Sequence, residues 1–252
     1  MVRVLMHGCC GAMGRVITGL AADREDLKIV AGVDRNMDDS LGYPVFPSLE
    51  ACDVEVDAII DFTAAPAVDH LLDYCAEKKV PVVLCSTGLS DAQMAKVSES
   101  AKKIAVLRSA NMSLGVNLLL KLVQEAAKVL ASSGFDIEIV EKHHNQKKDA
   151  PSGTALALAE SMNEALGNQY HYVYDRSSVH EKRDPKEIGI ASVRGGSIVG
   201  DHDVIFAGKD EVITFNHTAY SKAIFAKGAL EAAKFLAGKE PGLYDMSNVV
   251  QL

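Results

Sequence analysis

A short β-branched run that breaks straight into a glycine loop and then into an apolar helix leaves a chain few folds to choose from. Here Val2-Arg-Val-Leu-Met6 leads into Gly8-Cys-Cys-Gly-Ala-Met-Gly14, and an apolar helical pattern follows through Val16, Ile17, Leu20 and Ala21. A second strand, Leu27 to Val33, ends at Asp34. In this order the glycines let backbone approach a pyrophosphate, and the helix N-terminus offers it unpaired N–H groups. An acid about twenty residues further on reaches the ribose hydroxyls. The spacing is G-x-x-G-x-x-G rather than the commoner G-x-G-x-x-G, so the surrounding strand, helix and acid carry the dinucleotide reading over a plain turn.

The alternation continues. Ala58–Asp61, Val82–Leu84 and Ile104–Leu107 read as strands, with helices over 67–78 and 90–101 between them. Such alternation implies a parallel sheet covered on both faces, with ligands at the carboxyl ends of its strands. Those ends carry Gly8–Met13, Asp61-Phe-Thr63, Cys85-Ser-Thr-Gly88 and Ser109-Ala-Asn-Met112. From Leu114 the pattern changes to a long helix over 116–130, a strand over 135–142 and a helix over 154–166. Strands over 190–193, 203–207 and 211–219 follow, then a last helix over 222–236. The expected fold is α/β: a Rossmann-type parallel-sheet domain over 1–113, completed by 222–252, with a smaller mixed α/β substrate domain over 114–221.

Composition removes several function classes. The 252 residues are 48% hydrophobic and 24% charged, which fits a folded chain. A net charge of -8 argues against a nucleic-acid partner, which needs a basic face. No apolar stretch reaches membrane-spanning length, and the first residues read as a strand rather than a signal peptide, so a cytosolic setting is expected. The five cysteines (Cys9, Cys10, Cys52, Cys75, Cys85) are odd in number and lack C-x-x-C spacing, so they read as reduced thiols and no metal site is expected.

The chemistry concentrates in Glu141-Lys-His-His-Asn-Gln-Lys-Lys-Asp-Ala-Pro-Ser-Gly-Thr-Ala155. Histidine exchanges protons near neutrality, lysine supplies a cation, and a Pro-Ser-Gly-Thr helix start offers N–H groups to an anion. Together they describe a site that holds a carboxylate while moving a proton. Adjacent histidines on a strand point to opposite sides, so one of them faces a given site and a two-histidine metal site is disfavoured. Each feature alone also fits a surface histidine, a solvated charge run or a plain helix cap. Arg194-Gly-Gly-Ser-Ile-Val-Gly-Asp-His202 is a second glycine-rich polar loop, or a hairpin.

These residues resemble the 4-hydroxy-tetrahydrodipicolinate reductase family, long called dihydrodipicolinate reductase. The central motif, written E-x-H-H-x-x-K-x-D-A-P-S-G-T-A, is similar to that family's catalytic motif. The similarity extends through Asp61-Phe62-Thr63, Thr87-Gly88, Ala110-Asn111-Met112-Ser113, Arg194-x-Gly196, Val199-Gly200-x-His202 and the ending Gly242-Leu-Tyr-Asp-Met246. The resemblance implies reduction of a dehydrated cyclic imine by a nicotinamide cofactor in lysine and diaminopimelate synthesis, on a small dicarboxylate substrate. It implies His143 as acid/base residue, Lys147 as proton donor, His144 as a substrate contact, and Gly153 and Thr154 as carboxylate binders. It places the cofactor on Gly8, Cys9, Cys10, Gly11, Ala12, Met13, Asp34, Arg35, Cys85, Ser86, Thr87, Ser109, Ala110, Asn111 and Met112. It also implies a homotetramer assembled through the substrate domain.

The chain departs from the family pattern at Ala12, often arginine there, at Cys9 and Cys10, usually Gly or Ala, and at Cys85, frequently Gly. Asp34 favours a free ribose diol, while Arg35 can pair a 2′-phosphate. NADH is therefore expected to be preferred or accepted, with NADPH possible. Two rival readings are another two-domain amino- or imino-acid dehydrogenase and an NAD(H)-sensing regulator. The first does not account for the His-His-x-x-Lys constellation, and the second lacks a DNA-binding helix pair or basic arm.

Overall fold

The computed structural model describes residues 1–177 and 179–251. In chain order the first stretch holds β1 (Val2–His7), α1 (Ala12–Ala21), β2 (Leu27–Val33), β3 (Val45–Phe46) and β4 (Ala58–Asp61). It continues with α2 (Val68–Lys78), β5 (Val82–Leu84), α3 (Asp91–Ala101) and β6 (Ala105–Leu107). The middle holds α4 (Leu114–Leu130), β7 (Asp136–His143), α5 (Gly153–Ala165), β8 (His171–Val173), β9 (Glu187–Arg194), β10 (Gly200–Ala207) and β11 (Val212–Ala219). The end holds α6 (Ala223–Leu236), β12 (Gly242–Tyr244) and α7 (Met246–Val249). Two compact units result: Met1–Leu114 with Ala223–Gln251, and Gly115–Lys222.

In the first unit seven parallel strands run in the order β12-β6-β5-β4-β1-β2-β3. The chain leaves β1 toward β2 and β3, then returns on the other side at β4. That reversal opens a crevice beyond the carboxyl ends of β1 and β4, which stand level at His7 and Asp61. Period-two alternation divides the strands between two cores. Val4, Met6, Ile60, Val83 and Leu107 pack with Ile17, Ala229 and Leu230, on the side of α1 and α6. Leu5, Ile59, Val82, Leu84 and Val106 pack with Leu71, Leu72 and Val97, on the side of α2 and α3. Gly228 of α6 is obligatory, since a Cβ there would overlap the Met112 carbonyl oxygen.

β3 and β12, two and three residues long, are absent from the sequence reading. Neither carries a strand-length pattern. Both exist because an edge is available: Gly32 N–H donates to Pro44 O and Asp34 N–H to Phe46 O, while Arg108 N–H donates to Tyr244 O.

The second unit is a five-stranded sheet in the order β11-β10-β7-β9-β8, mixed in direction. Leu119 and Val123 of α4, with Leu158 and Met162 of α5, cover one face and pack on Ile137, Ile139, Ile188, Ile190, Val204 and Phe206. β9 and β10 each start three residues earlier than the apolar pattern indicates. Glu187 opens β9 as a buried acid answered by Arg176 Nη1 at 2.6 Å, a pairing that hydrophobicity does not register. The polar Gly200-Asp201-His202 joins β10 because both neighbours complete its ladder, Asp201 opposing Lys142 on β7 and Thr218 on β11. Among the described residues no helix is long and apolar enough to cross a membrane.

Candidate active site

Strand alternation builds the centre of the second unit. Ile137, Ile139, Glu141 and His143 all face the buried side of β7, so the two apolar residues anchor the face that carries the acid and the histidine. His144, one residue on, is partly exposed, consistent with opposite orientations for the pair.

Glu141 is fully buried, and its carboxylate is densely bonded. Arg194 donates to it bidentately, Nη1 to Oε2 and Nη2 to Oε1, each at 2.7 Å. Ser152 N–H donates to Oε1 at 3.0 Å, and His143 Nδ1 lies 2.6 Å from Oε2. Burial alone would raise the carboxyl, but these donors, Arg194 first, outweigh it and hold it at about 2. A carboxylate only accepts, so Nδ1 of His143 carries a proton, and in the neutral form of the ring Nε2 is the accepting nitrogen. Gly200 leaves the space beside Nε2, where a Cβ would stand 3.2 Å away.

His202 opposes Glu141 across the β7–β10 ladder. Its Nε2 lies 2.9 Å from Ser152 Oγ, and its ring meets His143 edge-on with centroids 5.2 Å apart. Burial, and then the neighbouring His143, push it down to about 4, so it is neutral at physiological pH. Ser152 Oγ also accepts from Ala155 N–H at 3.1 Å and caps α5. The first turn of α5, with Gly153 and Thr154, carries no acid, as an anion-binding helix start requires.

The intervening loop turns tightly. Lys147 N–H donates to His144 O, Gly195 N–H to His143 O and Asn145 N–H to Gly196 O. Lys147 is largely covered, its Nζ 2.9 Å from Asp149 Oδ1. Arg194 Nη2 also donates to Asp149 O at 2.7 Å, tying the loop back to the Glu141 cluster.

In the first unit the glycine loop has the shape a dinucleotide needs. Gly8 has φ +85 and lies against Phe62, and a Cβ on Gly14 would strike the Gly8 and Cys9 carbonyls. Gly11 heads α1 without a side-chain cap and no acid lies in its first turn, leaving that terminus suited to phosphate. Asp34 joins the loop: Oδ2 accepts from Cys10 N–H and Oδ1 from Asn36 N–H, both at 3.0 Å. Arg35 is exposed, whereas Arg15 is bound to Asp38 at 2.6 Å and to Cys10 O.

The other predicted cofactor loops share the carboxyl rim of the same sheet, but only some are joined. Ser86 Oγ donates to buried Asp61 at 2.7 Å and to Thr63 O at 2.9 Å, locking the β4 and β5 ends together. His7 Nδ1 approaches the same carboxylate at 2.8 Å, without hydrogen-bond angles. Cys85 and Thr87 flank Ser86 at the β5 end, and burial, then Asp61, push the Cys85 thiol up. Ser109–Met112 follows β6, three strands from β1 in the sheet order. Cys9 and Met112 turn their side chains into the core, which leaves their backbone for any ligand.

Sequence reading assigned no site role to Glu141, Arg194 or His202, and read Ser152 only as part of a helix start. The signal was present for Glu141, whose two-residue spacing from His143 on a strand puts both on one face. For the others it lay in pairings far along the chain.

Family models described as dihydrodipicolinate reductase, N-terminus and C-terminus, match residues 2–112 and 115–250. The 4-hydroxy-tetrahydrodipicolinate reductase of Caldanaerobacter subterraneus subsp. tengcongensis is 53% identical over 251 residues, covering 100% of this chain and 99% of its own. A dipicolinate-bound dihydrodipicolinate reductase from Paenisporosarcina sp. TG-14 superposes with TM-score 0.83 at 26% identity, over 99% of this chain and 100% of that one. Likeness to a probable dehydrogenase of Thermotoga maritima is weaker, with TM-score 0.57 at 13% identity over 98% of this chain and 92% of that one, and shows a shared fold alone. The chain therefore belongs to the dihydrodipicolinate reductase family of oxidoreductases.

Proposed function

We propose that this chain reduces 4-hydroxy-tetrahydrodipicolinate, through the conjugated cyclic imine formed when it loses water, in the lysine and diaminopimelate route. The observation that carries the reading is His143, fixed by Glu141 in one tautomer beside a serine-capped helix start. Gly153 and Thr154 at that start receive a substrate carboxylate, and His144 contacts the ring. When bound, a reduced nicotinamide supplies the hydride. Hydride addition places negative charge on the conjugated system, and the Lys147 ammonium stabilises that charge and donates the proton. His143 takes or gives a proton through Nε2. In the absence of substrate Lys147 is held by Asp149, and in this reading the incoming carboxylate competes for the cation.

Gly8–Met13, Asp34–Arg35, Cys85–Thr87 and Ser109–Met112 hold the dinucleotide. NADH is the preferred or an accepted cofactor, because Asp34 presents a carboxylate to a free diol and Ala12 adds no cation for a 2′-phosphate. NADPH remains usable through Arg35, while Arg15 is committed to Asp38. A homotetramer assembled through the second unit and a cytosolic setting complete the reading, in keeping with five free cysteines.

The test is cofactor oxidation, followed optically, with substrate freshly condensed from pyruvate and aspartate semialdehyde, run in parallel with NADH and NADPH. Turnover is expected with NADH at least equal to NADPH. The His143→Ala, Lys147→Ala double variant is expected to lose on the order of 10² to 10⁴ in kcat while keeping its NADH dissociation constant. Undiminished turnover in that variant refutes the roles assigned, and a much higher efficiency with NADPH refutes the cofactor assignment.

A further inference from the structure

The glycine loop carries a group of atoms that dinucleotide binding does not require. Cys9 and Cys10 are consecutive, yet both sulfurs point to the same region, 3.8 Å apart. Both sulfurs and an oxygen of Asp34 lie within 4.8 Å of one another. Cys10 Sγ is partly exposed and donates to Asn36 O at 3.0 Å, and Cys9 is buried beneath it. A Cβ on Gly32 would meet the Cys9 sulfur, so the second strand leaves that sulfur its place. Two thiolates bound tetrahedrally to one zinc at about 2.3 Å stand about 3.8 Å apart. The sulfurs are thus already at the separation a single thiophilic ion demands. The Asp34 oxygen would have to close by about an ångström to become a third ligand, with water as the fourth.

We propose that Cys9, Cys10 and Asp34 form a binding site for a soft divalent cation of the zinc–cadmium class, and that its occupation excludes the dinucleotide. On binding, each thiol loses its proton to solvent as its sulfur bonds the metal, so one cation enters and two protons leave. Because each thiol gives up its proton on binding the metal, affinity rises with pH. Exclusion rests on the reading that this loop holds the cofactor. An ion drawing in Asp34 removes the ribose acceptor and disturbs the Cys10 N–H bond to that carboxylate.

Cadmium titration of the intact protein under reducing conditions tests the site, read by thiolate-to-cadmium charge-transfer absorbance. One equivalent is expected to bind with that signature, and Cys10→Ala and Asp34→Ala to weaken it by at least tenfold. The dissociation constant is expected to rise by up to about a hundredfold per pH unit lowered, as two displaced protons require. Absence of the signature in the native chain, or its persistence unchanged in Cys10→Ala, overturns the site, because Cys52, Cys75 or Cys85 would then be the ligands. A second titration adds NADH to the cadmium-loaded protein. Release of cadmium as NADH binds supports exclusion, and simultaneous binding of both overturns it. If the metal-free protein binds no NADH, the cofactor reading fails while the cadmium result stands on its own.

Discussion

Replacing Glu141 by glutamine tests whether one buried carboxylate holds His143 and the fold together. The change is isosteric, so packing is kept, but it removes the charge that Arg194 grips with two 2.7 Å bonds and places an NH₂ group among donors. Breaking one partner of a buried ion pair costs about 3 to 5 kcal/mol, because the other charge is left uncompensated. Arg194 keeps the carbonyls of Val193 and Asp149, which puts the expected loss toward the lower end, about 3 kcal/mol. Urea unfolding should register this as a midpoint lower by about 1 to 2 M.

The pH dependence supplies the second arm. Glu141 is held at about 2, below the usual carboxylate range, so its contribution is complete above the ordinary glutamate value of about 4.5. It is lost as pH falls through the folded value. The stability gap between wild type and Glu141→Gln should therefore be full at pH 7 and close progressively as pH falls from about 4.5 to about 2. Catalysis should fall with stability. With a single amide oxygen left to serve Arg194, Ser152 and His143, and an NH₂ group at the other position, the ring is no longer held in one tautomer, and a drop on the order of 10² or more in kcat is expected with the NADH dissociation constant unchanged. A variant within 1 kcal/mol of wild type at pH 7, with an unaltered pH–rate profile, would refute the argument.

Two further predictions follow from single sites. His202 is neutral in the fold and pushed down to about 4, so the unfolded chain binds a proton that the folded one does not between about pH 6.5 and 4. Stability is fully present above about 6.5 and declines as pH falls through that window, and thermal melts of His202→Gln should show a shallower decline there than wild type. Gly228→Ala forces a methyl against the Met112 carbonyl and should destabilise by at least about 1 to 3 kcal/mol in calorimetry, whereas Gly19→Ala, where a Cβ meets nothing, should be neutral or stabilising.

Much of this molecule was legible along the chain because its signals are local. Two-residue alternation reports a half-buried strand, glycine spacing before a helix reports a phosphate loop, and Ser-Gly-Thr after proline reports a helix start. These signals place β1, β2, β4 to β7 and their helices, and they single out His143, Lys147 and the Gly8 loop. Strand ends fared worse where burial is polar. Glu187 and His202 lie inside the sheet because Arg176 and Ser152 answer them, and those partners are 11 and 50 residues distant.

Sequence alone determined the order of the longer strands and helices, the helix starts and the residue types able to move protons, since each depends on neighbours within a turn or two. The tertiary structure decided which groups act as one. It set Arg194 against Glu141, 53 residues away, and thereby fixed the His143 proton on Nδ1. It also gathered Asp34 to the two loop sulfurs. The physical reason is that a buried charge must be neutralised and hydrogen-bonded by whatever the sheet register brings beside it, and register is a property of the folded sheet, not of any one segment.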